Sequence, residues 1–445
     1  MTRPFLSLYS EERRREGGFC GKIERDIINF LSMRFLEITK ETTAKSWIFL
    51  GVFTLASLVL FGFIMWAIER NTGDIVKEYE QQSERAKIRA VELEYKKLIE
   101  QWQAEFPDEP ALNLLPPNMQ RMKRQGCVVD GILNRANKET REKSVVELVN
   151  RSSCYYLHRS IETWLSPPDF EEIEKTMGSI TKNRDDVLYG MFIAEAIDTK
   201  AIYLYETENR EFEFNRMCRS GSKNFWGEHT CKPSLGREEY RLYVLDITKK
   251  AMDLGVQSFM FGQIYFQDYI TNSSAEQVLR EMRAYAKFKG IEIVIGAQTN
   301  DINDEKYLRQ FDFIEGGIGI SPKGEIEKGP CYSRWWKKKG DWCWALLWNK
   351  KFSKKANNVF VHLDWSGIEG DDMGTFAHMS RKKRAETLRY LEGYFSKKDV
   401  GFLMPILTPL YKENGGCYGK SRKYYSADNR HSCKDENVIN ELLSR

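Results

Sequence analysis

The apolar segment Trp47–Ile68 constrains the chain more than any other feature. Its sequence, WIFLGVFTLASLVLFGFIMWAI, contains no charged residue, and its hydroxyl-bearing residues are Thr54 and Ser57. As a helix, a run of this length extends roughly 33 Å, which is enough to cross the hydrocarbon of a bilayer. Trp47 and Trp66 lie near its two ends, where indole rings favour the headgroup region. The sequence therefore predicts a transmembrane helix over residues 47–68.

The position of this segment predicts a signal anchor with a cytoplasmic N-terminal segment, residues 1–46. The run is too long, and begins too far from the N-terminus, for a simple cleaved signal peptide. Basic residues close to the segment are Arg34, Lys40 and Lys45 on the N-terminal side, and Arg70 and Lys77 on the other. This bias favours a cytoplasmic N-terminus.

The cysteines support the same orientation. Of the nine cysteines, Cys20 alone precedes the apolar segment. The others form neighbouring pairs along the chain: Cys127 with Cys154, Cys218 with Cys231, Cys331 with Cys343, and Cys417 with Cys433. Pairs that close short loops are typical of disulfides in an oxidising compartment, although other connectivities and reduced, buried thiols are alternatives. We expect a single-pass, type II membrane protein whose C-terminal part is extracytoplasmic, in a periplasm, at a cell surface or in a lumen.

The residues after the apolar segment predict a helical stalk and then a linker. Residues 69–106 are rich in charge, and apolar residues recur at heptad spacing: Ile88, Val91, Tyr95, Leu98 and Trp102. About two heptads of coiled coil would either self-associate into a homo-oligomer or dock onto the globular part. The sequence PDEPALNLLPP at 107–117 contains four prolines, which end the helix, so residues 107–124 are predicted to be a linker.

From residue 125 onward, short apolar runs alternate with helical stretches. The predicted strands are Cys127–Leu133, Val187–Ala194, Val256–Gln263, Ile291–Gln298, Phe311–Ile320, Asn358–Asp364 and Val400–Leu407. The predicted helices lie at 138–149, 169–178, 238–254, 274–289, 303–309 and 379–396. Such alternation indicates an α/β fold with a parallel sheet covered by helices. We predict a (β/α)8-type barrel over residues 125–445, with a doubly wound open sheet as the alternative.

Polar residues occur at the ends of five successive predicted strands. They are Glu195, Gln263, Gln298 followed by Asp301, Glu315, and His362 with Asp364. A single such residue is usually a helix cap, but five in a row at the carboxyl ends of parallel strands indicate an active site. Two carboxylates in one cleft suit glycoside hydrolysis, because one protonates the leaving oxygen and the other attacks or activates water. We assign Glu315 as the acid/base and Asp364 as the nucleophile or base, with Glu195 in reserve.

Tryptophan is concentrated near the predicted strand that contains His362. Six of the eleven lie between residues 335 and 365: Trp335, Trp336, Trp342, Trp344, Trp348 and Trp365. We expect Trp336 and Trp365 to stack on sugar rings, and the alternative is packing around the Cys331 and Cys343 pair. Residues expected to contact sugar hydroxyls are Gln263, Gln298, Asp301 and His362.

Other chemistries receive little support from the sequence. The motifs HExxH and GxSxG are absent, and so is a glycine-rich phosphate loop. The net charge of +4 gives no argument for nucleic acid, so we expect no nucleic-acid partner. We expect no cofactor and no metal, although His362-x-Asp364 leaves a metal-dependent hydrolase as an alternative.

The alternating elements, the carboxylate-tipped strands and the aromatic-lined strand ends resemble (β/α)8 glycoside hydrolases in general. The resemblance covers roughly residues 125–440 and matches no specific family signature. It implies a membrane-anchored, exported enzyme that acts on a polysaccharide. The alternative is a non-catalytic barrel that binds glycan or scaffolds an envelope assembly.

The predicted disulfides can be counted directly. Intact mass is measured before and after reduction and alkylation of the purified chain. If all four predicted pairs form, eight thiols react only after reduction. If no thiol depends on reduction, the exported topology is overturned.

Overall fold

A computed structural model describes residues 44–106, 111–112, 114–134, 144–181, 184, 186–268, 274–298, 302, 304–326, 356–365, 371–410, 424–430 and 433–445. The chain divides into two compact units, Met1–Glu92 and Leu93–Arg445, and each is described by itself.

The helices are α1 (Ala44–Glu105), α2 (Met119–Arg124), α3 (Ser144–Arg151), α4 (Phe170–Thr181), α5 (Glu238–Asp253), α6 (Ile264–Gln267), α7 (Ser274–Phe288), α8 (Glu305–Leu308), α9 (Asp372–Ala377), α10 (Arg381–Ser396) and α11 (Glu436–Leu443). The strands are β1 (Gly126–Val129), β2 (Tyr156–Glu162), β3 (Leu188–Ile193), β4 (Ile197–Asp198), β5 (Leu204–Tyr205), β6 (Arg210–Glu211), β7 (Thr230–Cys231), β8 (Ser258–Phe261), β9 (Val294–Gln298), β10 (Phe313–Gly317), β11 (Val359–His362), β12 (Gly401–Phe402), β13 (Met404–Pro409) and β14 (Tyr424–Ser426).

The main sheet curls until its two ends meet. Its ten strands follow the order β12-β11-β10-β9-β8-β3-β2-β1-β13-β14, and neighbours are parallel except for β13 and β14. Although β12 and β13 stand near opposite ends of this order, only Leu403 separates them in the chain. The same segment thus pairs with β11 at Gly401 and with β1 at Met404. This double pairing produces a (β/α)8-like barrel and excludes the open sheet.

Side chains from opposite sides of the barrel meet in its interior. The ring centroids of Tyr156 (β2) and Phe360 (β11) are 6.1 Å apart, and those of His158 and His362 on the same strands are 6.3 Å apart. Phe313 (β10) packs on Phe360 at 5.1 Å. The interior is therefore a packed core, as expected for a barrel of this size.

Helices cover the outer face of the barrel. In α7, the apolar residues Val278, Leu279 and Met282 recur at helical spacing and are all buried. The side chains of Asp371 and Ser380 accept hydrogen bonds from the first turns of α9 and α10, which fixes where these helices begin.

The predicted transmembrane segment and most of the predicted stalk belong to one continuous helix, α1. Large apolar side chains in its first half are exposed, including Phe53 at 70% and Leu58 at 66%. In the part of the chain that the structure describes, no helix was found that is both long and apolar enough to cross a membrane.

The C-terminal end of α1 packs against α7. The ring of Trp102 is buried and lies 5.4 Å from that of Tyr285 and 6.0 Å from that of Phe288. Glu94 forms an ion pair with Arg280 at 3.3 Å. This end of the predicted stalk thus docks onto the barrel unit, which was one of the two expected outcomes, and self-association stays a prediction.

Two of the expected disulfides are present, Cys127–Cys154 and Cys218–Cys231. Both close short loops of the barrel unit, as the spacing of the cysteines predicted. These two bonds indicate an oxidising environment.

The other two expected disulfides involve residues outside those that the structure describes. Cys433 is disulfide-bonded, but its expected partner Cys417 lies outside the described residues. Cys331 and Cys343 both lie outside them as well. The expected bond between Cys331 and Cys343 therefore stays a prediction, and so does the pairing of Cys433 with Cys417.

Every predicted strand overlaps a strand of the barrel, but β2 was not predicted. Its sequence is polar because it contains His158, Arg159, Ser160 and Glu162. In the fold, six of its seven residues are buried. A buried strand with polar side chains lacks the continuous apolar run that identifies strands of a parallel sheet, and only tertiary contacts explain it.

The packed interior can be tested at Gly296 in β9. A Cβ atom there would overlap the ring of Phe313 on the adjacent strand. We expect Gly296→Ala to lower the free energy of unfolding of the full-length chain by about 1–3 kcal/mol, measured by chemical denaturation. The control is Gly393→Ala in α10, where a Cβ meets nothing within 4 Å. It should raise the free energy by roughly 0.5–1 kcal/mol, because alanine is the better helix former. Unchanged stability of Gly296→Ala would contradict the described packing.

Candidate active site

A buried carboxylate between two imidazoles lies inside the barrel. His158 points inward from β2, Glu315 from β10 and His362 from β11. The Nε2 atom of His158 lies 3.5 Å from Oε1 of Glu315, and Nε2 of His362 contacts the same oxygen. All three side chains are at most 1% exposed. The predicted residues Glu315 and His362 are thus brought together, and His158 is added to them.

The two imidazoles differ in protonation. Burial by itself raises the pKa of Glu315, but attraction to His362 and the close contacts with both histidines outweigh it and hold the pKa far below the usual value. Burial opposes the charged form of His362 too, yet attraction to Glu315 raises its pKa. Burial lowers the pKa of His158. The arrangement is therefore a Glu315–His362 ion pair beside a neutral His158.

Hydrogen bonds hold both imidazole rings in place. The Nδ1 atom of His158 is 2.9 Å from the hydroxyl of Tyr156, which is 3.1 Å from the hydroxyl of Ser258. The Nδ1 atom of His362 is 3.0 Å from the carbonyl oxygen of Leu363. Polar contacts therefore extend from β8 through β2 and β10 to β11 across the interior.

Arg159 lies beside this pair at the same end of the barrel. Its backbone has a positive φ of 56°. Its guanidinium pairs with Asp130 at 2.9 Å and with Glu162. It also stacks over the rings of Phe192 and Trp365, at 3.7 and 4.6 Å from their centroids. Arg159 thus joins the ends of β1, β2, β3 and β11.

Glu195 follows β3 and is only 2% exposed. Gly262 makes room for it, because a Cβ at that position would overlap the Glu195 carboxylate. Its Oε2 atom is buried and has no hydrogen-bond partner among the described residues. Burial raises the pKa of Glu195 to about 7, with Arg159 opposing the shift. Glu195 can therefore gain or lose a proton near neutral pH.

The segment after β11 carries Asp364 and Trp365, both half-buried. The buried carboxylate of Asp372 accepts hydrogen bonds from the backbone N–H groups of Asp364, Gly319 and Ile320, at 3.1, 2.9 and 2.8 Å. Asp372 thus holds the segments after β10 and β11 together. The ring centroid of Trp365 lies 4.6 Å from that of His362.

The predicted sugar-binding residues are only partly brought together. Gln298 ends β9, and its side-chain oxygen accepts a 3.3 Å hydrogen bond from the backbone N–H of Gln263. Asp301 and Trp336 lie outside the described residues. No prediction was made for His158, Arg159 or Glu162, because β2 itself was missed.

Among the described residues, no group of three or more His, Cys, Asp or Glu side chains was found that could hold a metal ion. In the structure, His362 is engaged by Glu315.

No family model matches the chain, and no curated protein sequence matches it. The chain is similar to a GH27 β-L-arabinopyranosidase from Geobacillus stearothermophilus, with 10% identity, a TM-score of 0.37, and coverage of 64% of this chain and 72% of that chain. It is similar to the cyclic α-maltosyl-(1→6)-maltose hydrolase of Arthrobacter globiformis, with 9% identity, a TM-score of 0.41, and coverage of 76% of this chain and 79% of that chain. It is also similar to an α-galactosidase from Thermus thermophilus, with 12% identity, a TM-score of 0.39, and coverage of 66% of this chain and 62% of that chain. These three structures are glycoside hydrolases. The barrel assignment itself rests on the strand pairing.

The ion pair in the barrel interior can be tested with Glu315→Gln. Because the change leaves buried imidazoles without their anion, we expect the free energy of unfolding to fall by about 3–5 kcal/mol. The His362 contribution is fully present below the ordinary imidazole pKa of 6.5 and is lost as the pH rises through its raised folded pKa. The Glu315 contribution is present above the ordinary carboxyl pKa of 4.5 and is lost as the pH falls through its lowered folded pKa.

The decrease in the free energy of unfolding caused by Glu315→Gln should therefore be greatest between about pH 4.5 and 6.5. Chemical denaturation of the full-length chain across this range measures it. Glu325→Gln, at an exposed position, is the control and should change little. An effect of Glu315→Gln that is the same at every pH would contradict the ion pair.

Proposed function

We propose that this chain is a membrane-anchored, exported glycoside-hydrolase-like enzyme that cleaves a polysaccharide at the carboxyl end of its barrel. The observation that carries the proposal is Glu195, a buried carboxyl at a strand end whose pKa is raised to about 7. A general acid in a glycosidase must keep its proton near the working pH, and burial is the usual way to achieve this.

With Glu195 as the acid, the proposed roles of the carboxylates differ from those expected from the sequence. Glu315 was expected to be the acid/base, but its ion pair with His362 holds it ionised. We propose that Glu195 donates the proton and that Glu315 positions His362. Asp364 keeps the proposed role of nucleophile or base, since Asp372 fixes its backbone and it is half-buried.

The proposed sugar contacts come from neighbouring strand ends. Trp365 would stack on a sugar ring, and the carboxamides of Gln263 and Gln298 would contact its hydroxyls. The hydrogen bond that joins Gln263 to Gln298 supports placing these two at one subsite.

The proposed location rests on the disulfides and on α1. Cys127–Cys154 and Cys218–Cys231 support an extracytoplasmic barrel. The exposed apolar side chains of α1 support an anchor over residues 47–68, because such a surface is stable when lipid covers it.

Glu195→Gln tests the proposed acid. The full-length chain in detergent is incubated with neutral and acidic polysaccharides, and new reducing ends are measured. We expect Glu195→Gln to lower the cleavage rate by about 10²-fold or more, because general acid help is worth that much. The wild-type rate should fall as the pH rises through about 7, since Glu195 then loses its proton.

Glu211→Gln, at an exposed position in β6, serves as the matched control and should leave the rate unchanged. A Glu195→Gln rate equal to that of the wild type would refute the assignment. Glycan retention without cleavage by the wild type would favour the non-catalytic binding barrel.

A further inference from the structure

The long segment between β3 and β8 places a buried lysine among aromatic rings. Lys232 is 9% exposed. Its Nζ atom lies 3.4 Å from the ring centroids of both Phe225 and Phe266, and 5.6 Å from that of Trp226. We call these four residues the lysine cage. Aromatic faces attract a cation, so the cage holds the ammonium group in a defined place.

Lys232 differs from the other buried Lys and Arg side chains that the structure describes, because it has no anionic partner among the described residues. Three other Lys or Arg residues that are less than 9% exposed form ion pairs. These pairs are Lys123–Asp399, Lys289–Asp253 and Arg384–Asp435. The ammonium of Lys232 forms no ion pair or hydrogen bond with any described residue. No described anion therefore neutralises the Lys232 ammonium, and such a cation can bind an anionic ligand.

The backbone around Lys232 is held rigidly. Its N–H donates to the hydroxyl of Ser222 at 3.2 Å, and its carbonyl oxygen accepts from the N–H of Arg219 at 2.7 Å. The preceding residue, Cys231, is bonded to Cys218. A site fixed in this way loses little conformational entropy when a ligand binds.

The cage is also continuous with exposed aromatic surface and with the proposed acid. Phe225 is 55% exposed, and Trp226 packs edge-on against Trp164 with ring centroids 5.3 Å apart. Burial lowers the pKa of Lys232, Arg219 acts in the same direction, and the nearby Glu195 carboxylate opposes the shift. Flat apolar surface beside a cation suits a sugar ring that carries a negative group.

We propose that the lysine cage is a subsite for the carboxylate of a uronic acid residue, and that the substrate is therefore an acidic polysaccharide. The Lys232 ammonium binds the carboxylate, and the exposed ring of Phe225 and the half-buried ring of Trp226 contact the sugar ring. This inference rests on the proposed carbohydrate function and identifies the class of its substrate.

The test measures binding and does not depend on cleavage. Polygalacturonate, alginate and glucuronoxylan are each compared with the same polymer after carboxyl reduction, which removes the charge but keeps the sugar chain. The full-length chain in detergent should bind at least one acidic polymer roughly tenfold to hundredfold more tightly than its reduced form, as expected for a hydrogen bond to a charged group.

Lys232→Met should abolish this preference, whereas Lys232→Arg should keep it because the charge remains. The matched control Lys223→Met removes an exposed lysine of the same segment and should keep the preference. Phe225→Ala should weaken binding of the acidic and reduced forms alike. Lys232→Met should unfold at a temperature close to that of the wild type, since methionine keeps most of the side-chain volume that packs in the cage; this separates loss of the site from loss of the fold.

Equal binding of acidic and reduced polymers, a preference that survives in Lys232→Met, or no binding of any acidic polymer would each overturn the inference. Failure of the subsite inference can be distinguished from failure of the proposed enzymatic function. Glu195→Gln should lose cleavage and keep the preference, and a chain that prefers acidic polymers without cleaving them would support the subsite alone.

Discussion

The barrel depends on the double pairing of one short segment, residues 401–409. On one side of Leu403 the segment pairs with β11, and on the other it pairs with β1. The N–H of Leu403 donates to Val361 at 2.8 Å, and the N–H of Asp130 donates to Leu407 at 3.0 Å. These backbone bonds bring together strands that lie far apart in the order of the sheet. Because register decides which side chains point inward, the same bonds place His158 opposite His362.

Closure of the barrel brings His158, Glu315 and His362 together in the interior, where burying charged groups is unfavourable. Barrel interiors of this type are normally filled by apolar side chains, and here Glu315 lies between two imidazoles. The ion pair with His362 offsets the cost of burying the carboxylate. Glu195, which is just as buried, has no such partner among the described residues and keeps its proton to a much higher pH. Two carboxyl groups at one end of the barrel are thus held in different protonation states, as acid–base chemistry requires.

Much of the remaining site comes from the long segment between β3 and β8. It lies outside the barrel strands, yet the Cys218–Cys231 bond and the hydrogen bonds of Lys232 hold it in one conformation. Strand ends therefore supply the buried acidic groups, and this segment supplies a cation, the exposed ring of Phe225 and the half-buried ring of Trp226. The resulting surface combines the features of a site for a charged, ring-shaped ligand.

The sequence pattern alone predicts the apolar barrel strands, the helices between them and the carboxyl-bearing strand ends. These features follow from the periodicity and burial of apolar residues, which are visible in short stretches of the sequence. It also identified Glu195, Glu315, His362 and Trp365 as residues of one end of the sheet. That β2 is a strand is visible only in the folded chain, because its polar side chains are stabilised by residues distant in sequence. The same holds for the protonation of Glu195 and Glu315, since a pKa depends on burial and on nearby charges that only the folded chain brings together.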